Sequence, residues 1–243
     1  MNVDHSVRQS GPMSEEFTQA AMTHVLPKAA VVDRIPYLAR AAKGRRVIHV
    51  GFVDTGCAEA NADSDTWLHA HLDDAATSLV GIDVNQRGVA DAVARGYEAY
   101  AIDCRDADAL RAAGIGPAPL VIAGEVIEHL DDPGSFLTGL HNLVAPGGEL
   151  IITTPNITGL FNTFAALANR EINHPDHVVM FTWRTLTAMA ARHGWEPVAT
   201  ATYVPAVKFA GAGISGRNLG LAGRVAVALE RLLGRLGRPY FAD

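Results

Sequence analysis

The chain has 243 residues, of which 49% are hydrophobic and 19% charged, and a formal charge of −6 at pH 7. That length allows one domain with a sizeable core, or one domain and an appendage, and the composition excludes general disorder. An acidic balance without a long basic run argues against nucleic acid as a partner. The two cysteines, Cys57 and Cys104, cannot make a disulfide framework.

The opening stretch "MNVDHSVRQSGPMSEEF" lacks the apolar core of a signal peptide, and no run of about 18 apolar residues predicts a transmembrane segment; a cytoplasmic setting is expected. From Ser14 to Ala42 the pattern is helical, interrupted at Pro27 and Pro36, which predicts an N-terminal helical cap over 1–45. Six apolar runs follow: "RRVIHVGFV", "TSLVGIDV", "YEAYAID", "APLVIAGEV", "GELIITTP" and "WEPVATATYV". Helical stretches separate them. In "DPGSFLTGLHNLV", Asp132 can cap, Pro133 suits the first turn, and Phe136, Leu140, Leu143 and Val144 share a face. Val- and Ile-rich strands alternating with helices predict an α/β fold: a doubly wound, mostly parallel Rossmann-like sheet of six or seven strands, helices on both faces, over residues 46–204. Residues 205–243 predict a glycine-rich loop and an amphipathic helix. Its Val225, Leu229, Leu232 and Leu236 form one face and its arginines another; docking on the domain is expected, with a membrane surface or a homodimer partner as the other occupants.

Ligands on such sheets bind at the carboxyl ends of the strands. After the first run comes "GFVDTG". A dinucleotide fingerprint needs a glycine where Val53 stands, and no Gly-Lys-Ser/Thr follows, so neither a nicotinamide cofactor nor a nucleotide triphosphate is favoured. Asp83 ends the second run and Asp103 the third. Two carboxylates on successive strand ends beside a glycine loop suit the ribose hydroxyls and base amino group of a nucleoside.

The segment "LVIAGEVIEHLDDPGSFLTGLHNLVAPGGELIITTPN", residues 120–156, resembles the class I S-adenosylmethionine-dependent methyltransferases, and within them a broad small-molecule group with EVxEHL and TPN segments. The resemblance extends over 46–198. It implies S-adenosylmethionine as cofactor, its methionine part wrapped by Gly51, Phe52 and Val53, its ribose on Asp83, its adenine near Asp103 with Cys104 behind, and its amino group on the Gly124 carbonyl. The family often has an acidic residue where this chain has His49 and a glycine where it has Val53, and "CAEANADSD" lengthens the connection to the next helix.

His129, where the fourth strand opens into the site, is the candidate general base, since an imidazole titrates near neutral pH; a histidine packed against the sheet edge is the plainer reading. In "REINHPDHVVMF", His174 and His177 could touch the acceptor or bind a metal with Glu171 or Asp176. The spacing is loose, so ordinary loop histidines are favoured and no metal is expected. Phe161, Phe164 and Phe181 read as core, and "GLFNTFAALA" as a lid helix. The expected activity is O-methylation of a small molecule, such as a secondary metabolite or glycosyl unit. The alternatives are N- or C-methylation on the same fold, and a module that binds the cofactor without chemistry.

Overall fold

A computed structural model describes residues 25–53, 67–159 and 173–203, with residues 162, 169, 171, 228 and 232 besides. The helical pattern does not run through the N-terminal segment. Ala30–Val32 form strand β1, and helix α1 spans Arg34–Ala42, with Pro36 tolerated in its first turn. Two β-branched residues and a partner strand displace the helix there. Leu38 and Ala42 on α1 are buried against the sheet.

The remaining strands are β2 (Arg46–Val50), β3 (Ser78–Asp83), β4 (Ala99–Ala101), β5 (Ala118–Gly124), β6 (Val144–Thr153) and β7 (Ala201–Tyr203). Five of them build one parallel sheet in the order β4-β3-β2-β5-β6. The sixth apolar run takes another course: its β7 pairs with β1, in parallel, in a separate two-stranded sheet. The helices are α2 (Leu68–Ala75), α3 (Gln86–Ala94), α4 (Ala107–Ala112), α5 (Pro133–Gly139) and α6 (Trp183–Arg192). Asp132 caps α5 through Ser135 N–H, as its sequence predicts, although Val144, expected on the face of that helix, opens β6 instead.

The sheet is covered on both faces, because successive strand residues point to opposite sides. Val47, Leu79, Leu120 and Ile122 pack with Leu38, Leu68 and Leu72 of α1 and α2. Ile48, Val50, Val80, Ile82, Val121 and Ala123 pack with Leu110, Phe136, Leu137 and Phe181 on the other side. The strand order reverses at β2, between β3 and β5. Residues just past β2, β3, β4 and β5 therefore share one edge, at the switch point.

All of "GLFNTFAALA" except Gly159 and Asn162, and so Phe161 and Phe164, lies outside the described residues, as does the stretch "CAEANADSD" with Cys57; Asn162 is helical. The segment predicted as a C-terminal helix also lies outside them, apart from two residues. Ala228 and Leu232 are helical, and Leu232 is exposed.

Candidate active site

The loop after β2 is held by tertiary contacts. Gly51 has φ +69°, and a Cβ there would come within 2.0 Å of Val126 Cγ2, so both its backbone and its surroundings demand glycine. Its N–H donates to the Ile82 carbonyl at 2.8 Å. Phe52 points inward and packs on Val89 and Ala92 of α3. Trp67 Nε1 donates to the Phe52 carbonyl at 3.2 Å. Val53 replaces the glycine of the resemblance, and Gly88 makes room for it: a Cβ on Gly88 would lie 2.2 Å from Val53 Cγ1.

Asp83 ties this loop to β3. Its Oδ2 accepts from Val53 N–H at 2.9 Å and its Oδ1 from Asn85 N–H at 2.8 Å. Burial raises its pKa, and these backbone hydrogen bonds oppose the rise. Each carboxylate oxygen can accept a further bond, so Asp83 is fit to receive the two hydroxyls of a ribose at the sheet edge. Asp103 is more heavily committed. Arg105 Nε lies 2.9 and 3.0 Å from its two oxygens and holds the carboxyl below the usual range. A guanidinium thus shares the edge where the resemblance implies adenine, and nothing in the spacing announced it. The Cys104 side chain sits in the core, and burial pushes its thiol up to about 12. Gly124 is buried at the end of β5, paired with Thr153. The set fits S-adenosylmethionine, which carries a ribose diol and an adenine but no phosphate, so the missing phosphate-cradling glycine is not needed.

Past β5 the chain turns sharply. Glu125 adopts φ 58°, rare outside glycine, and its Oε1 accepts from Thr153 Oγ1 at 2.9 Å and Tyr203 Oη at 2.7 Å. Arg34 Nε reaches Thr153 Oγ1 at 3.2 Å and lies 3.9 Å from Glu125 Oε1. This network joins α1, β6 and the β7 edge to the site. Glu128 follows in a short 3-10 turn, Ile127–His129, and is fully buried. Its Oε2 accepts from Thr154 Oγ1 at 2.9 Å, while Oε1 has no partner among the described residues. Burial, reinforced by the neighbouring Glu125 charge, pushes its pKa up to about 7. A carboxyl that titrates near neutrality at a site is suited to proton transfer. The "EVIEHL" segment contains Glu128, but only its burial gives it this character.

His129 is exposed on that turn, and its Nδ1 lies 3.2 Å from the Asp176 carbonyl. The structure brings His174 and His177 to it across more than forty residues: ring centroids are 4.6 Å apart for His129 and His177, and 5.9 Å for His129 and His174. Val178 and Val179 N–H both donate to the Glu128 carbonyl, at 2.9 and 3.1 Å, and fasten the histidine loop to the turn. Burial and the other two rings lower the His177 pKa. Phe181 is core, as expected.

Among solved structures, the fold is similar to an S-adenosylmethionine-dependent methyltransferase of Thermotoga maritima, with TM-score 0.49, 14% identity, and coverage of 67% of this chain and 70% of that one. Two curated relatives are named ubiquinone biosynthesis O-methyltransferase, from Caulobacter sp. (strain K31) at 31% identity and Caulobacter vibrioides at 30%, each over 137 residues. These matches cover 56% of this chain and 47% of each relative, so the chain spans about half the length of the curated relatives it matches. The model of the methyltransferase domain family matches residues 11–200, well over half the chain: the chain belongs to that family, and its cofactor is S-adenosylmethionine.

Proposed function

We propose that the protein transfers the methyl group of S-adenosylmethionine to a hydroxyl oxygen of a small molecule. The observation that carries this reading is the position of His129. It stands exposed at the carboxyl end of β5, one strand from the Gly51–Val53 loop and Asp83, where an acceptor would meet the methyl donor. The EVIEHL and TPN segments and the O-methyltransferase names of the curated relatives support the same choice.

The cofactor, when bound, supplies an electrophilic methyl on a sulfonium. Asp83 accepts from the ribose hydroxyls, Gly51, Phe52 and Val53 line the methionine part, Gly124 offers a carbonyl to the amino group, and Asp103 flanks the adenine with Cys104 behind it. These residues do the positioning, and alignment of nucleophile, carbon and sulfur is the main catalytic demand. A hydroxyl nucleophile must also lose its proton, which His129 is placed to accept; an amine in its neutral form attacks through its lone pair and needs less help.

The test is a methyl-transfer assay with labelled S-adenosylmethionine against paired acceptors of one skeleton, bearing hydroxyl or amino groups, and against a metabolite extract. Label on the hydroxyl members is expected. Label confined to amines or carbon would overturn O-methylation. Cofactor binding by calorimetry without transfer to any extract component would favour a binding module.

A further inference from the structure

The geometry points to a divalent metal site built from His129, His174 and His177, of the kind that takes zinc or a neighbouring transition metal rather than magnesium. One ligand atom from each of the three lies within 4.8 Å of the others. Two nitrogens on a tetrahedral zinc ion, at about 2.0–2.1 Å each, stand roughly 3.3 Å apart. Closing that difference of about 1.5 Å needs only small side-chain rotations, since two of the rings are exposed and none is locked in the core.

The outer nitrogens are already arranged for ligation. His129 Nδ1 is 3.2 Å from the Asp176 carbonyl, and His177 Nδ1 is 2.8 Å from Asn173 Oδ1. Both partners are oxygen acceptors, which places the proton on Nδ1 and leaves Nε2 with its lone pair, the form in which histidine binds a metal. For His174, Nδ1 accepts from Asp176 N–H at 3.3 Å and lies 3.8 Å from the Asp176 carboxylate. Ligation through its Nε2 would move the proton to Nδ1, with that carboxylate as the acceptor at hand. Asp176 thereby touches the outer nitrogens of two of the three rings.

The cluster is also built rather than adventitious. The two hydrogen bonds from Val178 and Val179 to the Glu128 carbonyl fix the loop to the turn that carries His129. A parallel bridge between Asn156 and Phe181 holds the loop's far end to the chain after β6. Three neutral imidazoles suit zinc, copper, iron or nickel, whereas magnesium and calcium prefer oxygen ligands. Three protein ligands leave a coordination position open, the mark of a catalytic rather than a structural site. On the proposed function, on which this last step rests, that position is where the acceptor hydroxyl would bind and be acidified: the O–CH3 bond forms as the S–CH3 bond breaks, and the hydroxyl proton leaves to solvent. His129 would then serve as a ligand and not as the base.

The test uses the full chain without a histidine tag, stripped with a chelator, and titrated by calorimetry with Zn2+, with Co2+ followed by its visible absorption, and with Mg2+. One Zn2+ per chain is expected, with a Co2+ spectrum of low-coordinate nitrogen ligation and no Mg2+ binding. H174A/H177A should abolish binding, and Asn173→Ala, which removes only an outer partner, should weaken it about 10–100-fold. S-adenosylmethionine affinity, measured on the same samples, should persist in both variants and shows that they remain folded. Absence of Zn2+ and Co2+ binding to the wild type, or binding unchanged in H174A/H177A, would overturn the metal site. Failure of the wild type to bind S-adenosylmethionine would strike the proposed function alone and leave the metal titration readable.

Discussion

Two buried imidazoles should make this protein lose stability in mild acid. His49 on β2 and His69 on α2 are 3% and 1% exposed, with their Nδ1 atoms 3.1 Å apart and their rings stacked at 5.4 Å. One Nδ1 must donate and the other accept, so at least one ring is held neutral. Burial lowers the His69 pKa from 6.5 to about 4; burial, then the charge of His69, then Arg34 lower that of His49 well below its ordinary value. Above pH 6.5 neither folded nor unfolded chain protonates these groups, and they contribute no pH dependence. Below it the unfolded chain takes up protons that the folded chain refuses, so stability falls until the folded pKa is reached. At 1.36 kcal/mol per unit, His69 alone should cost about 2 kcal/mol between pH 6.5 and 5, and about 3 kcal/mol by pH 4. His49 adds to this in the same direction. Against a total stability of about 5–15 kcal/mol this is a large fraction. Urea unfolding at pH 7.5, 6, 5 and 4.5 measures it, on the wild type and on the H49V/H69F variant, which leaves no imidazole in the pair. The variant should show a shallower fall over that window. Equal pH slopes for the two proteins would refute the claim that the pair is buried neutral.

Three further outcomes are expected. Asp83→Ala removes a charged acceptor and should weaken S-adenosylmethionine binding by at least tenfold, since each hydrogen bond to a charged group contributes about 1.5–3 kcal/mol; unchanged affinity by calorimetry would remove Asp83 from the site. Gly88→Ala ordinarily stabilises a helix by about 1 kcal/mol, but here the new Cβ would lie 2.2 Å from Val53 Cγ1, so the melting temperature should fall, and Val53→Ala in the same chain should restore it; a stabilised single variant would show that the two residues do not share space. His129→Ala should lower turnover about a hundredfold or more, as either base or metal ligand, with cofactor affinity nearly intact; near-normal turnover would take His129 out of the chemistry, and a parallel loss of melting temperature and cofactor affinity would mark it as a packing residue.

What the sequence makes legible is what depends on neighbours along the chain. The strands β2, β3 and β5 are short Val- and Ile-rich runs, and each strand residue's side of the sheet follows from alternation. Asp83 is legible because a parallel sheet puts every strand's carboxyl end on one edge. What stays hidden depends on contacts between distant segments. β1 and β7 are three residues each and pair across some 170 positions, so neither carries a periodic signal strong enough to announce a second sheet. The meeting of His129 with His174 and His177 depends on two valine N–H groups finding the Glu128 carbonyl, and no spacing rule encodes that. Glu128 reads as an ordinary acidic residue until its burial is known. Val53 shows the same limit most sharply. Read along the chain it is a defect in a ligand loop, a bulky residue where a glycine belongs. In the folded protein the bulk is accommodated by the absence of a side chain at Gly88, thirty-five positions away, while the Val53 N–H still reaches Asp83. The small residue stands on the helix beside the loop, so the loop accommodates Val53 and keeps its bond to the carboxylate at the end of β3.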